Sequence, residues 1–500
     1  MKNKKTKYFI LFLGSIIFLT FTQLLFFGSR LDYYWNFNNS LQINNGLLPY
    51  KDINIITTPL FHFITSFFLQ IFGKSIVSFA ILMSLFDFFF IFSLSKITNI
   101  ILNNKFKGIN YTSFFLIMII MYTFYYEYNF LSCFFVLLII LIELKNKDNC
   151  YTSFLLGILA SLSLLSKQSI GLFTVLFVLF KPILFKENKK MILYRLFGIL
   201  IPITIFITYL LLSNTLSDFV SYCILGLKEF NNGLTILDIM KINNMLSYSI
   251  VTIIFYIISF ITIMIYLFKC IKKKNSKLIN IVLYYDLICF ACIYPIMDMH
   301  HVIPGFLSII PLVLLLINNR VKEYINIIKK EYITLIKRCL ISVAVIIPFI
   351  VIGMYIKIYN NNNMKYTVLK DDYYSLNGMV LKKELKEKID KLVLFEKEKN
   401  KEGYQSIILN KDAVLYHLTQ NKYYKDYDLF MRGNFGKNGN DRLLDDIKKS
   451  NNTIYLINLY DYVTKDKIYN QIPFDIIEYV ISNYDNLGSI DVFTIYSKSK

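Results

Sequence analysis

Long apolar stretches separated by short, lysine-bearing connections occupy the first 357 residues of the chain. A helix needs roughly 20 apolar residues to cross a bilayer. Runs near that length fall at 8–28, 76–95, 109–124, 129–144, 151–165, 169–185, 191–213, 246–268, 279–296, 303–318 and 339–356. The pattern predicts a polytopic α-helical membrane protein with about eleven spanning helices. One further apolar segment, Leu60–Phe72, is too short to span and is expected to lie along the membrane interface. Beyond Lys357 the long runs end and charge rises. Short β-like runs at Ser406–Leu409, Thr453–Asn458 and Val492–Tyr496 alternate with helical patterns near 379–399, 411–419, 440–449 and 474–483. That order predicts a small α/β soluble domain over 358–500, following a transmembrane domain over 1–357 with a long first outer connection at 29–75.

The distribution of charge orients these elements. Alternate connections between the runs carry 24 lysines and arginines on one side and 6 on the other. The cation-rich side is cytoplasmic. The N-terminus is therefore expected in the cytoplasm and the C-terminal domain outside, in a multi-pass protein of the cell membrane. The first run exceeds the apolar core of a cleaved signal peptide, and no small-x-small site precedes Arg30, so it reads as a retained anchor.

Composition agrees: 55% of residues are apolar, 18% are charged and the mean hydropathy is +0.49. A net charge of +20 would by itself suggest nucleic acid. The excess lies between apolar runs, however, and the tail is nearly balanced, so no nucleic-acid partner is expected. Six of the seven cysteines lie in or beside apolar runs and the tail has none, which implies no disulfide framework. Cys289 and Cys292 form a C-x-x-C spacing without a second pair, and core packing explains them better than metal. The richness in Lys, Asn, Ile and Tyr fits an AT-rich bacterial genome.

Candidate chemistry collects in the outer connections. The first contains Asp32 about one turn beyond the first span, then the string Asn45-Gly-Leu-Leu-Pro-Tyr-Lys-Asp52 with Tyr50, and Thr58-Pro-Leu60. Asp32 and Asp52 are either solvated loop acids or paired site carboxylates. Glu127 and Lys167 stand in two further outer connections; the lysine either snorkels to the surface or holds an anionic head group. Asp298, His300 and His301 follow the ninth run. Two histidines with one acid suit phosphate first and metal second, or are simply interfacial. Asp87 and Asp286 lie inside apolar runs, where a carboxyl is costly and is either paired within the bundle or functional.

These parts carry a resemblance. Asp32 outside the first span, the Gly46–Asp52 string with Thr58-Pro-Leu60 and Phe72-Gly73, Lys167-Gln168, and His300-His301-x-x-Pro304 resemble the polyprenyl-phosphate-dependent glycosyltransferases of the GT-C class. The likeness is nearest to the protein O-mannosyltransferase and aminoarabinose-transferase branch. It covers roughly residues 1–357 in architecture and is sharpest over 30–73. It implies transfer of a sugar from a polyprenyl-phosphate donor to a glycan, lipid or protein acceptor on the outer face, with inversion. It further implies Asp32 as the catalytic base and Asp52 as an orienting acid. Lys167, His300, His301 and Arg30 would receive the donor phosphate, and Glu127, Tyr50 and Asp298 would line the site. No cofactor is expected and a divalent metal is not indicated; neither G-x-G-x-x-G nor a P-loop occurs. Asp32 is followed by Tyr33 rather than by a second acid, so neither mannose nor a protein acceptor is specifically implied. Two other classes remain: a transporter or lipid flippase using Asp87 and Asp286, and an envelope-glycan polymerase or ligase.

Overall fold

The computed structural model describes residues 2–25, 31–103, 108–121, 126–145, 149–232, 246–294, 299–324, 330–361, 364–370, 375–410, 413–420, 423–459 and 472–498. It is mostly helical, with a few strands near the C-terminus. The first nine helices are α1 (Lys2–Leu25), α2 (Leu31–Asn44), α3 (Leu60–Phe72), α4 (Ile76–Asn103), α5 (Tyr111–Met121), α6 (Tyr128–Lys145), α7 (Cys150–Ser166), α8 (Gln168–Leu184) and α9 (Lys190–Leu212). Long helices follow at Leu246–Ile271, Lys277–Cys289, Met299–Tyr324 and Lys330–Asn360.

Among the described residues, 6 helical stretches are long and apolar enough to cross a membrane: Lys5–Leu25, Ile76–Asn103, Tyr128–Lys145, Lys190–Leu212, Ile253–Ile271 and His301–Asn319. Of the other five expected runs, four fall on shorter helices, at Tyr111–Met121, Cys150–Ser166, Gln168–Leu184 and Lys277–Cys289, and that at 339–356 falls within Lys330–Asn360. One of them, the run at 279–296, ends as an α-helix at Cys289 and tightens into a 3-10 turn over Phe290–Ile293. Apolar exposure separates inner from peripheral helices. In the best apolar window, 67% of Ile76–Asn103 is buried, against 22% of Lys190–Leu212. The outward side chains of α9, such as Phe197, Ile205 and Leu212, have no place in water and suit lipid.

By compactness the chain groups into two units. The first comprises Met1–Thr22, Met83–Tyr209 and Leu234–Gly353. Its helices cross closely where glycine allows: a Cβ on Gly157 would sit 2.1 Å from the Arg195 carbonyl oxygen, and one on Gly198 2.1 Å from that of Phe154. These small residues let α7 and α9 meet backbone to backbone.

The second unit comprises Gln23–Leu82, Leu210–Gly233 and Met354–Lys500. It joins the first long connection and the tail. The tail holds a hairpin, β1 (Tyr366–Val368) with β2 (Val380–Lys382), and a four-stranded mixed sheet. In sheet order this sheet is β3 (Gln405–Ile408), β4 (Thr453–Asn458), β6 (Phe493–Ser497) and β5 (Asp485–Ile490). β3 and β4 are parallel, so their connection must cross over. Helices at Ala413–Gln420 and Gly439–Lys449 fall within it. Ile407, Tyr455 and Ile457 of the sheet pack on Leu443, Ile447, Ile476 and Val480 of the helices.

All three expected tail strands and all four expected tail helices are present within a few residues. The hairpin and the edge strand β5 are additions. β5 is largely exposed and broken at Gly488, where φ is +114°, so alternation of apolar residues could not announce it.

Candidate functional site

The long first connection is not an open loop. Leu31–Asn44 forms the helix α2, with Asp32 in its first turn, where an acid is favoured by the exposed N–H groups. Its residues from Tyr33 to Gln42 are all buried, although five of them are amides or a serine: Asn36, Asn38, Asn39, Ser40 and Gln42. Such a sequence has no apolar stripe, which is why it reads as loop. α3 packs along it: Ser40 Oγ donates to the Asn36 carbonyl at 2.8 Å and meets Thr65 Oγ1 at 2.5 Å. The His62 ring lies edge-on to Trp35 with centroids 6.2 Å apart. His62 is fully buried, and burial pushes its pKa down to about 3, the Asn36 backbone opposing only weakly, so the ring is neutral.

After α2 the chain turns sharply. Gly46 and Tyr50 have φ of +95° and +69°. Asp52 is half-buried, and its Oδ2 accepts the Leu48 N–H at 2.9 Å while its own N–H donates to the Leu48 carbonyl at 2.9 Å. Tyr50 is buried and donates its hydroxyl to the Thr57 carbonyl at 3.0 Å. Asp52 and Tyr50 therefore both shape this turn.

The rest of the second unit clamps it. Cys223 Sγ lies 3.2 Å from the Thr57 carbonyl oxygen. Lys425 Nζ donates to the Tyr50 and Lys51 carbonyls at 2.9 and 2.6 Å, and Tyr423 Oη donates to Asn54 Oδ1 at 2.6 Å. Behind them, Arg442 Nη2 pairs with Asp426 Oδ2 at 2.7 Å and Tyr222 Oη donates to Asp426 Oδ1 at 2.8 Å. Burial raises the Asp426 carboxyl, against Arg442. It pushes Asp428 up to about 7, the Asn54 side chain opposing and the neighbouring Asp426 charge adding to the rise. Sequence reading missed Asn54, Tyr222, Tyr423, Asp426, Asp428 and Arg442. Asn54 and Tyr423, and Tyr222 and Asp426, lie hundreds of positions apart, and no local spacing marks them.

Within the first unit the structure brings three expected residues together. Glu127, 1% exposed, precedes α6 and holds the Asn129 amide. Lys167, 5% exposed, is the single extended residue between α7 and α8. Its ammonium lies 5.1 Å from the centre of the Tyr128 ring, a cation–π contact. Both charges are within electrostatic reach of Cys292, whose Sγ sits 2.7 Å from the His301 carbonyl oxygen. Asp32, Tyr50 and Asp52 belong to the second unit. Arg30 and Asp298 lie outside the described residues, as does the side chain of His300.

A second charged group in the first unit was not anticipated. Lys181 Nζ bridges Glu143 Oε2 at 3.0 Å and Glu187 Oε1 at 2.9 Å. Arg195 Nη2 reaches Glu187 Oε2 at 3.5 Å, and its Nη1 donates to the Val178 carbonyl at 2.8 Å. Lys277 Nζ adds a contact to Glu187 Oε1 at 3.1 Å, and Tyr285 Oη donates to Glu143 Oε1 at 3.0 Å. Lys181, counted above among cations marking the cytoplasmic side, is thus a buried partner of two carboxylates. Burial works to raise Glu187, but Lys181 and Lys277 outweigh it and hold that carboxyl below its ordinary value.

Among the described residues no group of three His, Cys, Asp or Glu side chains is placed to hold a metal ion. No protein-family model, curated protein or solved structure matches this chain.

Proposed function

We propose that this protein is a membrane glycosyltransferase that moves a sugar from a polyprenyl-phosphate donor to an acceptor at the outer face of the membrane. The reading is supported by Asp32: an acid in the first turn of a buried polar helix, following the first apolar helix, in a connection clamped by the tail. Its carboxylate would take the proton of an acceptor hydroxyl. The acceptor oxygen would then attack the anomeric carbon as the bond from that carbon to the phosphate oxygen breaks, inverting the centre and releasing polyprenyl phosphate. The departing phosphate calls for positive charge or hydrogen-bond donors at the leaving oxygen.

The decisive experiment incubates purified protein with radiolabelled polyprenyl-phosphate sugars and compares wild type with Asp32→Asn. Transfer or release should fall about a hundredfold or more in the variant, with unchanged expression and insertion. Normal turnover by Asp32→Asn removes the assignment of the base.

One observation favours a transporter instead. Asp286 is fully buried in an apolar helix, and neither carboxylate oxygen has a hydrogen-bond partner. A buried acid of that kind is a proton or cation site in many carriers. On that reading Asp286→Asn, and not Asp32→Asn, abolishes function, and substrate crosses unaltered.

A further inference from the structure

Helix α2 carries an unusual density of buried polar atoms that meet no protein partner. Trp35 Nε1, both side-chain polar atoms of Asn36, Nδ2 of Asn38 and both side-chain polar atoms of Asn39 are buried without a hydrogen bond. Thr57 Oγ1, in the turn that follows, is in the same state. Native proteins pair nearly all such groups, because a buried polar atom left without a partner has lost its water for nothing. Clustered orphans therefore point to a guest that supplies the missing partners.

Their spacing gives that guest a place. Asp32, Asn36 and Asn39 stand four and then three residues apart, with Trp35 between, so they share one face of the helix. Asn38 faces partly away, and its Oδ1 is taken by Gln42 Nε2 at 3.1 Å. Ser40, four residues beyond Asn36 at the edge of the same face, is satisfied by the Asn36 carbonyl and Thr65. The orphaned amides of Asn36 and Asn39 thus share one stripe of the helix with the Asp32 carboxylate.

Chemistry narrows the guest. Each carboxamide offers a donor and an acceptor side by side, the arrangement that meets adjacent hydroxyl groups. The indole adds a donor and a flat apolar face. Among the described residues no cation stands on the stripe, and His62 beside Trp35 is neutral. An anion would find no counter-charge among them and would face the Asp32 carboxylate. From this we infer that the Asp32–Asn36–Asn39 face of α2, with Trp35, is the subsite for the uncharged, hydroxyl-rich sugar ring, and not for its phosphate. The inference rests on the glycosyltransferase reading and adds which part of the donor this helix recognises.

The test uses full-length protein in lipid nanodiscs. Binding of undecaprenyl phosphate is compared with that of its mannosyl, glucosyl, galactosyl and N-acetylglucosaminyl phosphate esters, for wild type, Asn36→Leu, Asn39→Leu and the double variant. Thermal unfolding without ligand is recorded alongside. Wild type should bind at least one sugar-bearing lipid about tenfold or more tighter than the bare phosphate, as two or more hydrogen bonds allow. The leucine variants should lose that preference, keep the affinity for bare undecaprenyl phosphate, and unfold at a temperature no lower than wild type. A preference that persists in the double variant overturns the subsite while the enzyme reading stands. Loss of stability with preference intact shows amides serving structure through water, and also overturns it. If wild type binds none of these lipids, the enzyme reading itself fails and takes the subsite with it. Asn39→Gln, which keeps the amide, distinguishes misfolding from lost recognition: partial preference should survive in it.

Discussion

The Glu143–Lys181–Glu187–Arg195 group of the first unit and the α2 face of the second both put polar atoms where water does not reach, yet they are built on opposite plans. In the first, each charged head group meets an opposite charge, backed by the Val178 carbonyl and the Tyr285 hydroxyl. In the second, amides and an indole N–H lie buried with nothing opposite them. A buried group whose charge meets its counter-charge within its own chain, even with Arg195 Nε left over, has spent its specificity on holding helices α6, α8 and α9 in register. One left unanswered keeps its specificity for something that arrives. Burial alone does not separate structure from function here; satisfaction of the buried groups does.

The sharpest way to break this contrast is at Lys181. Lys181→Met leaves Glu143 and Glu187 buried beside too little positive charge, which should cost roughly 3–5 kcal/mol. The expected readout is a sharp loss of monodisperse protein and a much lower unfolding temperature in detergent. Pairing it with Glu143→Gln should restore part of the loss. Full stability of Lys181→Met would erase the distinction from α2, where replacing Asn39 with Leu is expected to do no harm to folding.

A smaller effect lies in the clamp over the first connection and depends on pH. Asp428 has a folded-state pKa near 7, raised by burial from an ordinary 3.8. Between those values the folded protein holds a proton that the unfolded chain has released. The contribution of Asp428 to stability is therefore present at low pH and declines as pH rises through that window. Asp428→Asn should flatten the fall in unfolding temperature between pH 5 and pH 8; an unchanged slope would show that the carboxyl is not the titrating group.

The smallest expected change is at Tyr423. Tyr423→Phe removes the hydroxyl that donates to Asn54 Oδ1 at 2.6 Å and accepts the Asn54 N–H at 3.2 Å. A loss of about 1 kcal/mol is expected, seen as faster limited proteolysis between Gly46 and Thr58. Lys425 still holds the Tyr50 and Lys51 carbonyls, so the clamp should loosen and not open. Protection equal to wild type would assign the clamp to Lys425 alone.

Apolar periodicity made the helices legible because bilayer solvent imposes one simple demand, a continuous apolar length with its backbone bonds closed internally. The tail strands Thr453–Asn458 and Phe493–Ser497 were legible for a related reason: short runs rich in β-branched and aromatic residues suit a buried sheet, and both strands are buried along nearly all of their length. The acids Asp32 and Asp52 could be picked out as chemistry on the chain, and so could the isolated cation Lys167. Their circumstances could not. Asp52 closes the turn on Leu48, and Lys167 faces the Tyr128 ring.

What sequence determined by itself was the class of molecule, a chain of membrane-suited helices followed by a mixed α/β tail. Only the tertiary structure decided that α2 is a helix at all. Asn36, Asn38, Asn39 and Gln42 have no local reason to be buried, and burial comes to them from α3 and from the Ala413–Gln420 helix packed against α2. The same holds for Asn54 meeting Tyr423, and for Tyr222 and Arg442 meeting Asp426. Hydrophobic pattern is a local property and survives in one dimension. Satisfaction of a buried polar group depends on what the fold brings opposite it, and that is settled only in three.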